Sequence, residues 1–139
     1  MTGLADALSA EYAAIYGYGI VGAHLTGANQ DAARQAEAAH RSRRDALLVR
    51  MAAASATPPA ADPAYTLPYA VTDRDTALKL AVDLEDGAAR AWYGAIGATS
   101  GDDRSLAANA LIDCSVRATR WRKLAGTTPA TLTFPGTRT

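Results

Sequence analysis

Apolar and small residues recur every three or four positions along four stretches of the chain, with polar residues between them. That period matches one face of an α-helix. The first stripe reads Leu4, Leu8, Glu11, Ile15, Tyr18, Gly22, and the second Ala33, Glu37, His40, Arg44, Leu47, Met51. The third reads Ala77, Ala81, Leu84 or Glu85, Ala88, Trp92, Ala95, and the fourth Leu106, Ala110, Asp113, Arg117, Trp121, Leu124. Alanine is abundant and β-branched residues are sparse, which favours helix throughout. Thr2, Asn29, Thr72 or Asp73, and Asp102 or Asp103 are the expected N-caps, and Gly126 the residue that closes the last helix. The predicted helices span about 2–25, 29–55, 73–98 and 103–125.

Between the second and third stripes the composition changes. The segment 56–72 includes Thr57-Pro-Pro-Ala-Ala-Asp-Pro-Ala-Tyr-Thr-Leu-Pro-Tyr69, whose prolines exclude helix. The tail 127–139 contains Pro129 and Pro135 and reads as extended, with Phe134 as its expected anchor. The whole chain, 1–139, therefore reads as one all-α domain, a four-helix bundle of two helical hairpins joined by a long proline-rich crossover. A helix of about 25 residues is about 38 Å long. The linker, fully extended, reaches about 55 Å and can run the length of a bundle. Such a crossover is the ferritin-like arrangement, whereas simple up-down bundles use short loops. A plain bundle with a loosely held linker fits the same pattern.

Each stripe carries at least one carboxylate on or beside the face that should be buried: Glu11, Glu37, Glu85 and Asp113. A carboxylate removed from water costs several kcal/mol unless paired. Converging carboxylates call for a metal ion or for basic partners. Residues equidistant from a hairpin turn lie at one level, so Glu85 faces position 116 and Glu11 faces position 43, about one turn from His40. Glu11, Glu37, His40, Glu85 and Asp113 can therefore meet, with Arg44 and Arg117 beside them as candidate members of a polar core network.

Composition narrows the function classes. Lys and Arg together number 14, as do Asp and Glu, so the net charge is zero. A dedicated nucleic-acid binder normally carries a basic excess, so nucleic acid is not an expected partner, and the run Arg41-Ser-Arg-Arg44 reads as a solvated face. The single cysteine, Cys114, has no internal disulfide partner and reads as a buried structural thiol. The N-terminus lacks a basic segment followed by an apolar run, and no apolar stretch approaches about 20 residues. The expectation is a soluble cytoplasmic protein with no membrane partner. His24 reads as a cation near a helix end. Tyr12, Tyr16, Tyr18 and Trp92 are expected near the polar cluster, mainly as packing residues. Gly17, Gly19 and Gly22 each weaken a helix interior, and together they suggest close approach of another helix or subunit. Tyr65 and Tyr69 are expected to pin the crossover or to form part of a dimer patch.

The tetrad Glu37-Ala-Ala-His40 places two ligand-type side chains on one helical face, the motif that supplies half of a site in di-metal carboxylate bundles. With Glu11-Tyr-Ala-Ala-Ile-Tyr-Gly-Tyr-Gly19, Glu37-Ala-Ala-His-Arg-Ser-Arg-Arg-Asp45, Pro63-Ala-Tyr-Thr-Leu-Pro68, Val116-Arg-Ala-Thr-Arg-Trp121 and Phe134-Pro-Gly136, the chain resembles the ferritin-like superfamily. More closely, it is similar to an actinobacterial ferritin-like domain family of unknown function. The resemblance covers nearly the whole chain. It implies a metal pattern in which Glu11, Glu37, His40 and Glu85 match ligand positions and Asp113 replaces a glutamate with a shorter reach. The second tetrad departs from that pattern: it reads Asp113-Cys-Ser-Val116, where Val116 cannot ligate and Arg117 brings a fixed positive charge. Two functions follow as expectations. The first is a non-catalytic helical protein with a degenerate di-metal site and no cofactor, acting as a homodimer through contacts with an unknown protein partner. The alternative is a metal-dependent redox or metal-binding protein that uses iron or manganese.

Overall fold

The computed structural model describes residues 2–137. The side chain of Thr2, expected as a cap, and the tail residues Arg138 and Thr139 lie outside the described residues. Among the described residues there are four α-helices and no strands: α1 Thr2–Ala23, α2 Gly27–Ala53, α3 Arg74–Ala98 and α4 Gly101–Ala125.

Helix starts follow local chemistry, and two differ from expectation. Asp73 caps α3 in a reciprocal capping box, with the Thr76 amide donating to Asp73 Oδ1 at 2.9 Å. Before α2 and α4, however, the caps are Thr26 and Ser100, each extended and each followed by a glycine at positive φ. Those glycines, Gly27 and Gly101, adopt a turn that L side chains avoid, and so open each helix two residues early. Asn29 then falls inside the first turn of α2. Asp102 and Asp103 fall in the first turn of α4, where they complement the helix dipole instead of capping it.

Two apolar clusters define the topology. One gathers Leu4 and Leu8 of α1, Leu47 and Met51 of α2, Trp92 and Ala95 of α3, and Ala107 and Ala110 of α4. The other gathers Tyr18 and Val21 of α1, Ala33 and Ala36 of α2, Ala77, Leu78, Leu80 and Ala81 of α3, and Trp121 of α4. Hence α1 and α2 are antiparallel, as are α3 and α4. Because α2 ends at the first cluster and α3 begins at the second, the proline-rich segment crosses the full length of the bundle. Leu67, Tyr69 and Val71 of this crossover pack against the second cluster. Tyr69 donates to Asp83 Oδ2 at 2.6 Å, and the Tyr65 and Tyr16 rings meet at 5.5 Å.

α1 packs on both α2 and α3, and α3 on α4. The α2–α4 side is the looser one. Ion pairs tie it together at one half, Arg43 to Asp113 at 2.7 Å and Arg50 to Asp103 at 2.6 Å.

The buried faces of α2 and α4 are rotated from the expected stripes. In α2 the inward positions are Ala33, Ala36, His40, Leu47 and Met51, with Arg43 half-buried. In α4 they are Ala107, Ala110, Cys114, Ala118, Trp121 and Arg122. Alternating steps of three and four can begin with either step. Starting with three selects Ala36 over Glu37 and Arg43 over Arg44, which buries a small side chain and spares a second charge. The tail folds back over α3 and α4, with Gly136 so close to Tyr93 and the Ala89 carbonyl that no Cβ would fit. Phe134, the expected anchor, is 71% exposed. Pro135 and Leu132 line the contact with α4 in its place.

Candidate functional site

A polar layer separates the two apolar clusters, and every helix contributes to it. α1 brings Glu11 and Tyr18, α2 brings His40 and Arg43, α3 brings Glu85 and Trp92, and α4 brings Asp113, Arg117 and Trp121. Glu11, His40 and Glu85 are fully buried.

His40 is the centre of the layer. Its Nδ1 bonds Glu11 Oε2, and its Nε2 lies 2.9 Å from Glu85 Oε1. Carboxylates accept hydrogen bonds, so both ring nitrogens donate and the ring is an imidazolium. Burial alone would lower the His40 pKa, but the hydrogen bonds to Glu11 and Glu85 more than reverse this and raise it to about 9. Around this ion triplet three further side-chain donors form a chain of hydrogen bonds. Trp92 Nε1 donates to Glu11 Oε1 at 2.6 Å, Tyr18 donates to Glu85 Oε1 at 2.5 Å, and Trp121 Nε1 donates to the Tyr18 hydroxyl at 2.9 Å. Burial and then the Glu85 charge hold the Tyr18 phenol well above its ordinary pKa, so it stays a donor.

Two guanidinium groups close the layer from the α2–α4 side. Arg43 Nη1 lies 3.7 Å from Glu11 Oε1, and Arg117 Nη1 lies 3.6 Å from Glu85 Oε2. Both also bind Asp113, Arg43 at 2.7 Å and Arg117 at 2.9 and 3.2 Å. Partial burial would raise the Asp113 pKa, but these two arginines hold it below the ordinary value. Three carboxylates, Glu11, Glu85 and Asp113, therefore face three cations, His40, Arg43 and Arg117, and the layer is neutral as a unit. One atom is left over: the buried Glu85 Oε2 has no hydrogen-bond partner among the described residues. Cys114, also buried, lies 3.7 Å from Arg43 Nη1, and burial pushes its thiol pKa up, so it remains protonated.

Of the residues singled out from sequence, Glu11, His40, Glu85, Asp113 and Arg117 come together, and Glu37 and Arg44 do not. Glu37 bonds Arg41 at 2.6 Å on the surface of α2, and Arg44 bonds its neighbour Asp45 at 2.9 Å. The face rotation of α2 turns both away and brings Arg43 inward. Among the described residues, no group of three or more His, Cys, Asp and Glu side chains is arranged to hold a metal ion. Arg43 and the donor roles of Trp92 and Trp121 were missed in the sequence. The register arithmetic had pointed to position 43, and a buried indole N–H needs an acceptor. A further ion pair, between buried Arg122 and partly buried Asp86, lies beside the tail and has no counterpart among the sequence candidates.

Fold and layer together define a class: an all-α four-helix protein with a self-neutralising ionic core. Within it, the chain belongs to the family described as Domain of unknown function (DUF4439), whose profile matches residues 3–139. A crystal structure of a conserved hypothetical protein, rv2844, from Mycobacterium tuberculosis is similar, with 40% sequence identity and a TM-score of 0.85. The similarity covers 88% of this chain and 94% of that one. No curated protein matches the chain. Among the described residues, no helix is long and apolar enough to cross a membrane.

Proposed function

We propose that this protein is a ferritin-like bundle with a degenerate di-metal site, a non-catalytic homodimer that acts through protein contacts. The observation that carries this reading is the engagement of both His40 ring nitrogens by Glu11 and Glu85. A histidine ligand offers an unprotonated nitrogen to the metal, and here each nitrogen carries a proton held by a carboxylate. The residues do not fit the iron or manganese centre implied by the family resemblance. Glu37 is turned outward, helix α4 offers no second histidine, and Arg117 stands 3.6 Å from Glu85 Oε2, where its charge offsets the carboxylate. The layer then serves to hold four helices in one register, as buried polar groups do in coiled coils.

Surface chemistry supports the interaction role. Ile112 and Val116, one turn apart on α4, are 61% and 46% exposed, and Val116 lies beside Leu132 and Pro135 of the tail. Exposed apolar groups clustered in this way mark contact surfaces.

Elemental analysis after separate exposure to Fe(II) and Mn(II) tests the reading. Background metal in both runs is expected, with unchanged thermal stability in each. Near-stoichiometric metal, lost in a His40→Ala variant, would overturn it and establish the metal-binding alternative. Sedimentation of the wild type and of Ile112→Lys tests the dimer. A dimer that dissociates in the variant is expected, and a wild-type monomer at tens of micromolar would refute that part.

A further inference from the structure

The α2–α4 side is closed by ion pairs at one half only. Beyond Arg43–Asp113, toward the second apolar cluster, the helices part and leave a cleft of about 120 Å³. Ala32, Gln35 and Ala36 of α2 form one wall, and Arg117, Arg120, Trp121 and Leu124 of α4 the other. The lining holds two guanidinium groups and an amide and no carboxylate. Among the described residues Arg120 has no ion-pair or hydrogen-bond partner, and neither does the Gln35 side chain. Arg117 uses Nη1 and Nη2 on Asp113, which leaves its Nε–H unused among the described residues. Between these donors Ala32 and Leu124 supply the apolar surface, above the buried Ala36 and Trp121.

From this arrangement we infer that the cleft binds a small organic carboxylate with an apolar body. The carboxylate meets the Arg120 fork, as guanidinium and carboxylate match bidentately. The apolar body lies between Ala32 of α2 and Leu124 of α4. A cationic ligand would meet two like charges, and a bare inorganic anion would leave the apolar walls uncovered. Arg117 and Trp121 are common to the cleft and the ionic layer, but neither is a metal ligand, so the outcome of the metal analysis does not decide this test.

Benzoate is the probe, followed by amide and indole N–H resonances in a ¹H–¹⁵N titration, with benzylamine as the cationic counterpart. Saturable shifts confined to Trp121 Nε1–H and to the amides around Ala36 and Arg120 are expected with benzoate, and none with benzylamine. Arg120→Ala, an exposed change that preserves the fold, should weaken benzoate about tenfold or more. Ala32→Leu, which fills the cleft, should abolish the shifts while the rest of the spectrum stays native. Non-saturating or scattered shifts, equal binding of benzylamine, or benzoate binding unaltered by Ala32→Leu would each overturn the inference.

Discussion

At the scale of single residues, His40 decides the chemistry of the core. Its pKa is raised to about 9 in the folded protein, against about 6.5 in the unfolded chain. A raised pKa means that its contribution to stability is complete below pH 6.5 and is lost as pH rises through 9. The difference corresponds to about 3 kcal/mol. Denaturant unfolding between pH 6 and pH 9.5 should show this loss, and the ¹⁵N shifts of both ring nitrogens should report the imidazolium at pH 7.5. A neutral ring at that pH would contradict the doubly donating geometry. The carboxylates divide along the same line. Glu85→Gln removes one charge from a balanced buried set and should cost about 3–5 kcal/mol. Glu37→Gln removes a surface pair with Arg41 and should stay within about 0.5 kcal/mol. Equal losses in unfolding midpoint would show that Glu37 shares the core after all.

At the scale of the helix, packing and propensity can be separated on α1. A Cβ at Gly17 would meet Leu84 at 2.6 Å, whereas one at Gly19 would meet nothing within 4 Å. Gly19→Ala should therefore stabilise by about 0.5–1 kcal/mol. Gly17→Ala gains the same propensity but displaces Leu84 from the α1–α3 contact, and should come out less stable than Gly19→Ala by about 1–3 kcal/mol. Thermal melts of the two variants decide this by their order. The same contrast explains what was legible in the sequence. Periodicity alone gave the four-helix all-α architecture, because long alanine-rich stripes with proline breaks admit no other regular structure. It also located Glu11, His40 and Glu85, since a charged residue on an apolar stripe is conspicuous. The rotation of α2 and α4 was not legible. Ala36 and Glu37, or Arg43 and Arg44, are adjacent, and a period near 3.6 accepts either until a partner helix chooses. The choice fell to pairwise chemistry, in which Asp113 takes Arg43 from across the seam, and no single-helix pattern contains that information.

At the scale of the whole molecule, each apolar cluster draws residues from all four helices, and the ionic layer lies between the clusters. Neither hairpin owns a complete core. The bonds of the layer also join distant parts of the chain: Trp121 and Tyr18 are separated by 103 positions, and Trp92 and Glu11 by 81. Bonds of such separation close after local helices have formed, because long loops must be ordered first. Until all four helices dock, the six charges have better partners in water than in one another. The neutral layer is thus expected to close late in folding. Conservative changes within it, such as Tyr18→Phe, should speed unfolding and leave the folding rate nearly unchanged, with φ-values near zero in stopped-flow measurements. The core charges then act less as glue than as a latch: they do little to bring the chain together, and they set how long the native state lasts once it has formed.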